Sequence, residues 1–183
     1  MRFREGDVVY DLLGTSCTIC ITTNGFVKKN GSAVMGRGIA KQISQAIPLF
    51  AKDLGAKIDR YGNKCQKVLD YRMTTLVSFP VKPESIVLED MSQVVAHMRG
   101  NFSIGDHVPG WACIADINII ENSARMLAEL MDINMVNFPV YLPKPGCGAG
   151  ELDWNDVKPI IENCLGDRDY YICDFKLAPE EKE

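Results

Sequence analysis

The chain has 183 residues, a net charge of −4, and 46% hydrophobic and 24% charged side chains. That length suits one domain with a substantial core, and the balance is ordinary for a globular protein. The acidic charge argues against a general binder of nucleic acid or membrane surface, which needs a basic face. No apolar run approaches bilayer-spanning length, and Met1 to Asp7 lacks the apolar core of a signal peptide. A cytoplasmic monomer with no membrane partner is the expectation.

In chain order, Asp7 to Tyr10 reads as a short strand and Leu13 to Ser16 as a turn. Residues 17–22 are uncharged and rich in β-branched side chains, which predicts an interior strand. Ile39, Ile43 and Ile47 repeat at i, i+4 and i+8, so Val34 to Ile47 reads as a helix. Leu49 to Tyr61 reads as a second helix, ended by Gly62. Gln66 to Tyr71 and Thr75 to Val81 read as strands, the latter with Pro80 and Pro83 at its exit. Glu84 to Met98 reads as a helix of poor register, and residues 99–110 as a loop. Asp116 to Met131 has a clear apolar face and reads as a helix. Asn134 to Leu142 reads as a strand. Asp153 opens a helix through Leu165 as its N-cap, with Asp156 at the third position. Asp169 to Phe175 reads as the last strand, and residues 176–183 as a frayed charged tail. Strands alternating with helices predict a layered α/β domain spanning 1–183.

Seven cysteines are scattered along the chain. Cys17-x-x-Cys20 looks like half of a metal or redox site, but no second pair follows, and the histidines are only His97 and His107. Zinc needs about four converging ligands. The cysteines therefore read as small buried hydrophobes, and no metal or cofactor is expected.

Two glycine-rich stretches stand out. The first runs Val34-Met35-Gly36-Arg37-Gly38-Ile39-Ala40, after the 17–22 strand and Asn24-Gly25. Strand, glycine-rich loop and helix is an arrangement whose backbone amides can hold an anion, because glycine lets main chain approach closely. Neither the P-loop nor the dinucleotide fingerprint fits, since Gly38 is followed by Ile39-Ala40-Lys41. The alternative is a tight helix start with no ligand. The second stretch, Pro145-Gly146-Cys147-Gly148-Ala149-Gly150-Glu151, repeats the pattern between an apolar strand and a capped helix. Ligands of open α/β sheets lie beyond the carboxyl ends of strands. Two such loops in equivalent places could close on one diphosphate.

Together with Asp7 after Gly6, these stretches resemble the macro domain family. They are most similar to its branch of ADP-ribose-1″-phosphate phosphatases and DNA or protein ADP-ribosyl glycohydrolases. The resemblance covers about residues 5–175, with residues 84–110 reading as an insertion. It implies a three-layer α/β/α fold with a mixed, mostly parallel sheet. It also implies an ADP-ribose ligand, carried free or on a nucleic acid or protein. By the same resemblance Asp7 accepts a hydrogen bond from adenine and Asn24 holds the distal ribose. Gly36, Arg37, Gly38 and Ile39 face the diphosphate from one side, and Gly146, Cys147, Gly148, Ala149 and Gly150 from the other. Cys147 reads as a small turn residue rather than a nucleophile, and Phe175 either covers the adenine or packs in the core.

Catalysis has three candidate residues: Lys82, Asn24 and Glu151. Phe79-Pro80-Val81-Lys82 is similar to a strand exit from which some of these glycohydrolases use a lysine. A lysine attacks or polarises an anomeric carbon when its pKa is lowered; the alternative is a surface lysine beside a proline turn. The partner acid of those relatives falls at Gly150 here, with Glu151 next to it as a substitute base. A second mode uses a water positioned by the ligand. The implied activity is hydrolysis at the distal ribose, releasing ADP-ribose; the alternative is a non-catalytic ADP-ribose reader.

Overall fold

The computed structural model describes residues 1–174. The reading of Phe175 and of the tail at 176–183 lies outside the described residues. Strand β1 (Arg2–Arg4) is followed by helix α1 (Val8–Leu12) and strand β2 (Cys17–Thr23). Helices α2 (Gly38–Ala46) and α3 (Phe50–Tyr61) precede strands β3 (Gln66–Tyr71) and β4 (Thr74–Pro80). A short hairpin of β5 (Ser85–Val87) and β6 (His107–Pro109) is interrupted by 3-10 turns. Helix α4 (Ile117–Asp132), strand β7 (Val140–Pro143), helix α5 (Trp154–Leu165) and strand β8 (Tyr170–Cys173) complete it.

Six strands form one sheet in the order β1-β8-β7-β2-β4-β3. Every pairing is parallel except β3 with β4. The central strands feed two cores by simple alternation, because successive side chains point to opposite faces. Ile19 and Ile21 of β2, Leu76 of β4 and Tyr141 of β7 pack with α1, α2 and α3. Cys20 of β2, Val77 and Phe79 of β4 and Leu142 of β7 pack with α4 and α5. Strands covered on both faces bury side chains in both directions, and all seven residues of β4 are buried. The result is the three-layer α/β/α arrangement with a mixed, mostly parallel sheet.

Several local expectations are corrected. Asp7 to Tyr10 is not a strand. Asp7 Oδ1 accepts from Val9 N and Tyr10 N at 3.0 Å, capping α1. This cap and the burial of Val8 and Val9 override the β-preference of a Val-Val-Tyr run. The edge strand of this region is Arg2–Arg4, paired with β8. Helix α2 starts at Gly38, not Val34, because Asn24 Nδ2 donates to Val34 O at 3.2 Å and holds that stretch as loop. No helix spans Glu84 to Met98; the segment pairs Ile86 with Val108 and builds a small cluster of Leu88, Val94, Val108, Ala112 and Cys113. The strand expected from Asn134 is limited to β7. No helix among the described residues is long and apolar enough to cross a membrane.

Candidate active site

Parallel pairing sends the exits of β1, β2, β4 and β7 to one edge of the sheet. Asp7 follows β1, the second glycine loop follows β7, Asn24 and the first glycine loop follow β2, and Lys82 follows β4. The strand order therefore lines these groups up in that sequence. From β1 to β4 there are four strand spacings, roughly 19 Å at about 4.8 Å each. That span suits an extended dinucleotide-sized ligand, with Asp7 at one end and Lys82 at the other.

The first loop is built by Asn24. Its Oδ1 accepts from Phe26 N at 2.9 Å while its Nδ2 reaches Val34 O, so one side chain closes the stretch leading to α2. Gly55 of α3 lies under this loop, where an added Cβ would sit 2.0 Å from Gly31 O. Gly38 adopts φ +56° as the first residue of α2, a conformation glycine takes without strain. Gly36 and Gly38 have no atom within 4 Å on the side where a Cβ would stand. The first amides of α2 have no acceptor within the helix, so this open backbone face can donate to an anion. Ile39 is buried in the helical core, so its contribution there is its N–H alone.

The second loop is tighter. Leu152 N donates to Gly146 O at 3.0 Å, and Glu151 N to Gly148 O at 3.0 Å. Gly148 is open on its Cβ side. Gly150 has no such room: a Cβ would meet Gly146 O at 2.5 Å and Ala115 Cβ at 2.6 Å. An acid at that position is sterically excluded. The neighbouring carboxylate is Glu151, which sits at φ +62°, a strained conformation for a non-glycine residue. Burial pushes the Cys147 thiol up to about 11, which leaves it protonated at neutral pH and unsuited to attack.

Lys82 is not a surface lysine. It is 6% exposed. Its Nζ donates to Ala149 O of the second loop at 2.7 Å and to Trp111 O at 3.5 Å. Its pKa falls from 10.5 to about 8, chiefly through burial. The Arg37 guanidinium pushes the same way, while the Cys113 thiol and the Glu151 carboxylate oppose it. The fold pins this arrangement from behind. Gly110 N donates to Glu84 O at 2.7 Å, and a Cβ on Gly110 would fall 1.7 Å from Pro83 O. Only glycine allows the 3-10 turn carrying Trp111 to lie against the exit of β4.

The other expected residues fall as follows. The Oδ2 of Asp7 accepts from Gln42 Nε2 at 2.8 Å, so its carboxylate joins α1 to α2. Arg37 is exposed and its Nη2 meets His97 Nε2 at 3.1 Å. His107 is exposed on β6, paired with Val87. Cys17 and Cys20 are buried and free. Among the described residues no group of three or more His, Cys, Asp or Glu side chains could hold a metal. Sequence reasoning missed Ala96 and His97, which lie in the stretch read as an insertion, and Trp111, which directly follows it. Among them only His97 has a side chain that draws notice in a sequence, and it belongs to no motif.

No family model matches the chain, and no curated protein matches it. Solved structures do. The macrodomain of Mycobacterium tuberculosis DarG is similar at 19% identity and TM-score 0.64, over 96% of this chain and 97% of that one. The macrodomain of Thermus aquaticus DarG is similar at 17% identity and TM-score 0.64, over 96% and 97%. Thermosipho africanus DarTG, solved in complex with ADP-ribose, is similar at 18% identity and TM-score 0.62, over 97% of this chain and 41% of that one. The chain has the macrodomain fold.

Proposed function

We propose that the cleft binds ADP-ribose and that the protein hydrolyses a bond at the distal ribose C1″, releasing ADP-ribose. The substrate is ADP-ribose-1″-phosphate or an ADP-ribosylated macromolecule. The observation that carries this reading is Lys82: a buried amine with a depressed pKa, hydrogen-bonded to a glycine loop of a macrodomain fold. The order of groups along the sheet edge supports one direction for the ligand. Adenine lies toward Asp7, the diphosphate between the two glycine loops, and the distal ribose toward Asn24 and Lys82. Asn24 retains one amide hydrogen and one lone pair beyond its loop contacts for a ribose hydroxyl. ADP-ribose is also the ligand bound in the similar Thermosipho africanus DarTG structure.

With a pKa of about 8, roughly a quarter of Lys82 is the neutral amine at pH 7.5. The neutral amine attacks C1″ and forms an Nζ–C1″ bond. The bond to the leaving group breaks, and its electron pair departs with that group. Glu151 takes the proton that Nζ loses. Ring opening gives an imine; water then adds to C1″, Nζ leaves, and ADP-ribose and free Lys82 result. The net reaction consumes one water, whose oxygen ends on C1″. Burial supplies the reactive amine, and the glycine loops supply orientation.

Two measurements test the reading. Calorimetry with ADP-ribose, ADP and AMP should show a preference for ADP-ribose; equal affinity for all three would remove the ligand assignment. Turnover of ADP-ribose-1″-phosphate and of ADP-ribosylated DNA and protein should occur with at least one substrate and be lost in Lys82→Ala. Binding without any turnover would make the protein a reader.

A further inference from the structure

Two contacts across the cleft come from outside either glycine loop. Ala96 is the first residue of the 3-10 turn Ala96–Asn101. Its N–H donates to both carboxylate oxygens of Glu151, at 3.0 and 3.1 Å. The next residue, His97, meets Arg37 at 3.1 Å. A guanidinium only donates, so His97 Nε2 accepts and the ring carries its proton on Nδ1. Two successive residues thus reach opposite walls: Glu151 in the second loop and Arg37 in the first.

The step from 96 to 97 is itself held from below. Val95 N donates to Ala112 O at 3.0 Å, and Ile114 N to Gln93 O at 2.9 Å. Val94 bridges Cys113, and both side chains are buried in the cluster between the β5–β6 hairpin and the 3-10 turns. The same run of chain carries Trp111, whose carbonyl accepts from Lys82. One packed segment therefore touches Lys82, Glu151 and Arg37. The Glu151 and Arg37 side chains are both exposed, and without these partners they would sample many rotamers.

We infer that Ala96 and His97 are positioning residues for the proposed reaction. The Ala96 N–H holds the Glu151 carboxylate where it can serve Lys82. His97 holds the Arg37 guanidinium toward the diphosphate side of the cleft. The inference rests on the reading that Lys82 and Glu151 carry turnover and that Arg37 faces the diphosphate.

Ala96→Pro tests the first half with little disturbance. Proline removes the N–H and fixes φ, and it is tolerated at the first position of a helical turn. Val95 before it is already extended, at φ −56° and ψ 140°, as a residue before proline requires. Ala96→Pro should lower kcat on the order of tenfold, with KM little changed, because it loosens one reacting group. In Glu151→Gln the proline should have little further effect, since both variants act on one interaction. His97→Ala should act mainly on KM, raising it several-fold, and His97→Gln should recover most of the loss because its amide oxygen can accept from Arg37. Wild-type kinetics in Ala96→Pro and His97→Ala, with Lys82→Ala inactive, would overturn the inference while leaving the reaction intact. Equal losses of kcat and affinity that track a fall in Tm would also overturn it, by making the contacts merely structural. Full activity in Lys82→Ala would remove the reaction reading, and this inference with it.

Discussion

Replacing Lys82 with methionine should make the protein more stable at neutral pH while abolishing the proposed hydrolysis. Lys82 carries a folded pKa of about 8 against 10.5 for the free side chain, and burial is the main cause. A depressed lysine pKa means that the folded state disfavours the ammonium. Below about pH 8 both states are protonated, and folding bears the full cost of burying the charge. Between pH 8 and 10.5 the unfolded state binds the extra proton, so stability rises with pH across that window. At about 1.36 kcal/mol per pKa unit, the cost at pH 6.5 is about 3.4 kcal/mol, and by pH 9.5 it has shrunk to about 1.4 kcal/mol. Methionine removes the charge and keeps an unbranched side chain one heavy atom shorter. It leaves Ala149 O and Trp111 O without their lysine partner, which offsets part of the gain. The difference between the two proteins isolates the lysine, because every other group titrates in both. Urea denaturation at pH 6.5, 8.0 and 9.5 should show wild type gaining about 2 kcal/mol relative to Lys82→Met from the lowest to the highest pH. A difference that stays flat with pH would refute the buried, depressed lysine.

The same pKa fixes the activity profile: log kcat/KM should rise with pH and level off above about 8, as Lys82 loses its proton. A profile that falls over pH 6 to 8 would assign the chemistry to another group. The Glu151 carboxylate raises the Lys82 pKa, so Glu151→Gln should move the midpoint of the residual activity to lower pH; an upward move would contradict their proximity. Gly150→Asp should not supply the missing acid, because its Cβ has no space beside Gly146 O and Ala115. Thermal melting should show a clear loss of stability, and turnover should not rise. Gly110→Ala should cost on the order of 3 kcal/mol or more by denaturant titration, since the added methyl would meet backbone at Pro83.

How much of this was legible in the sequence varies with the kind of signal. The central strands were readable because β2 and β4 are buried on both faces and composed accordingly. Helix α4 was readable from its apolar face, α3 from its composition and Gly62 at its end, and α5 from Asp153 as its N-cap. Helix α1 was not, because a five-residue helix has too few turns to show a period, and Val-Val-Tyr favours a strand. Edge strand β1 was hidden by exposure: two of its three residues face solvent, and its partner β8 is at the other end of the chain. Glycine motifs picked out both loops, while Asn24 and Lys82 were named through the resemblance to the macro domain family. Composition alone could not show that Lys82 is buried, since that depends on the turn at Gly110–Ala112 folding back on Pro83. Residues 84–115 lack any period because their structure is a hairpin with 3-10 turns around a small cluster of five buried residues. The contacts of Ala96 and His97 are set by that packing and by a backbone N–H, which no side-chain pattern records.

The proposed imine at Lys82 is open to direct trapping. The protein would be mixed with a substrate it turns over, reduced with borohydride, and mapped by peptide mass spectrometry. The account predicts one ADP-ribosyl adduct, reduced to a stable amine on Lys82, and none in Lys82→Ala. Full turnover with no adduct on Lys82, or adducts spread over exposed lysines while Lys82 stays unmodified, would contradict it.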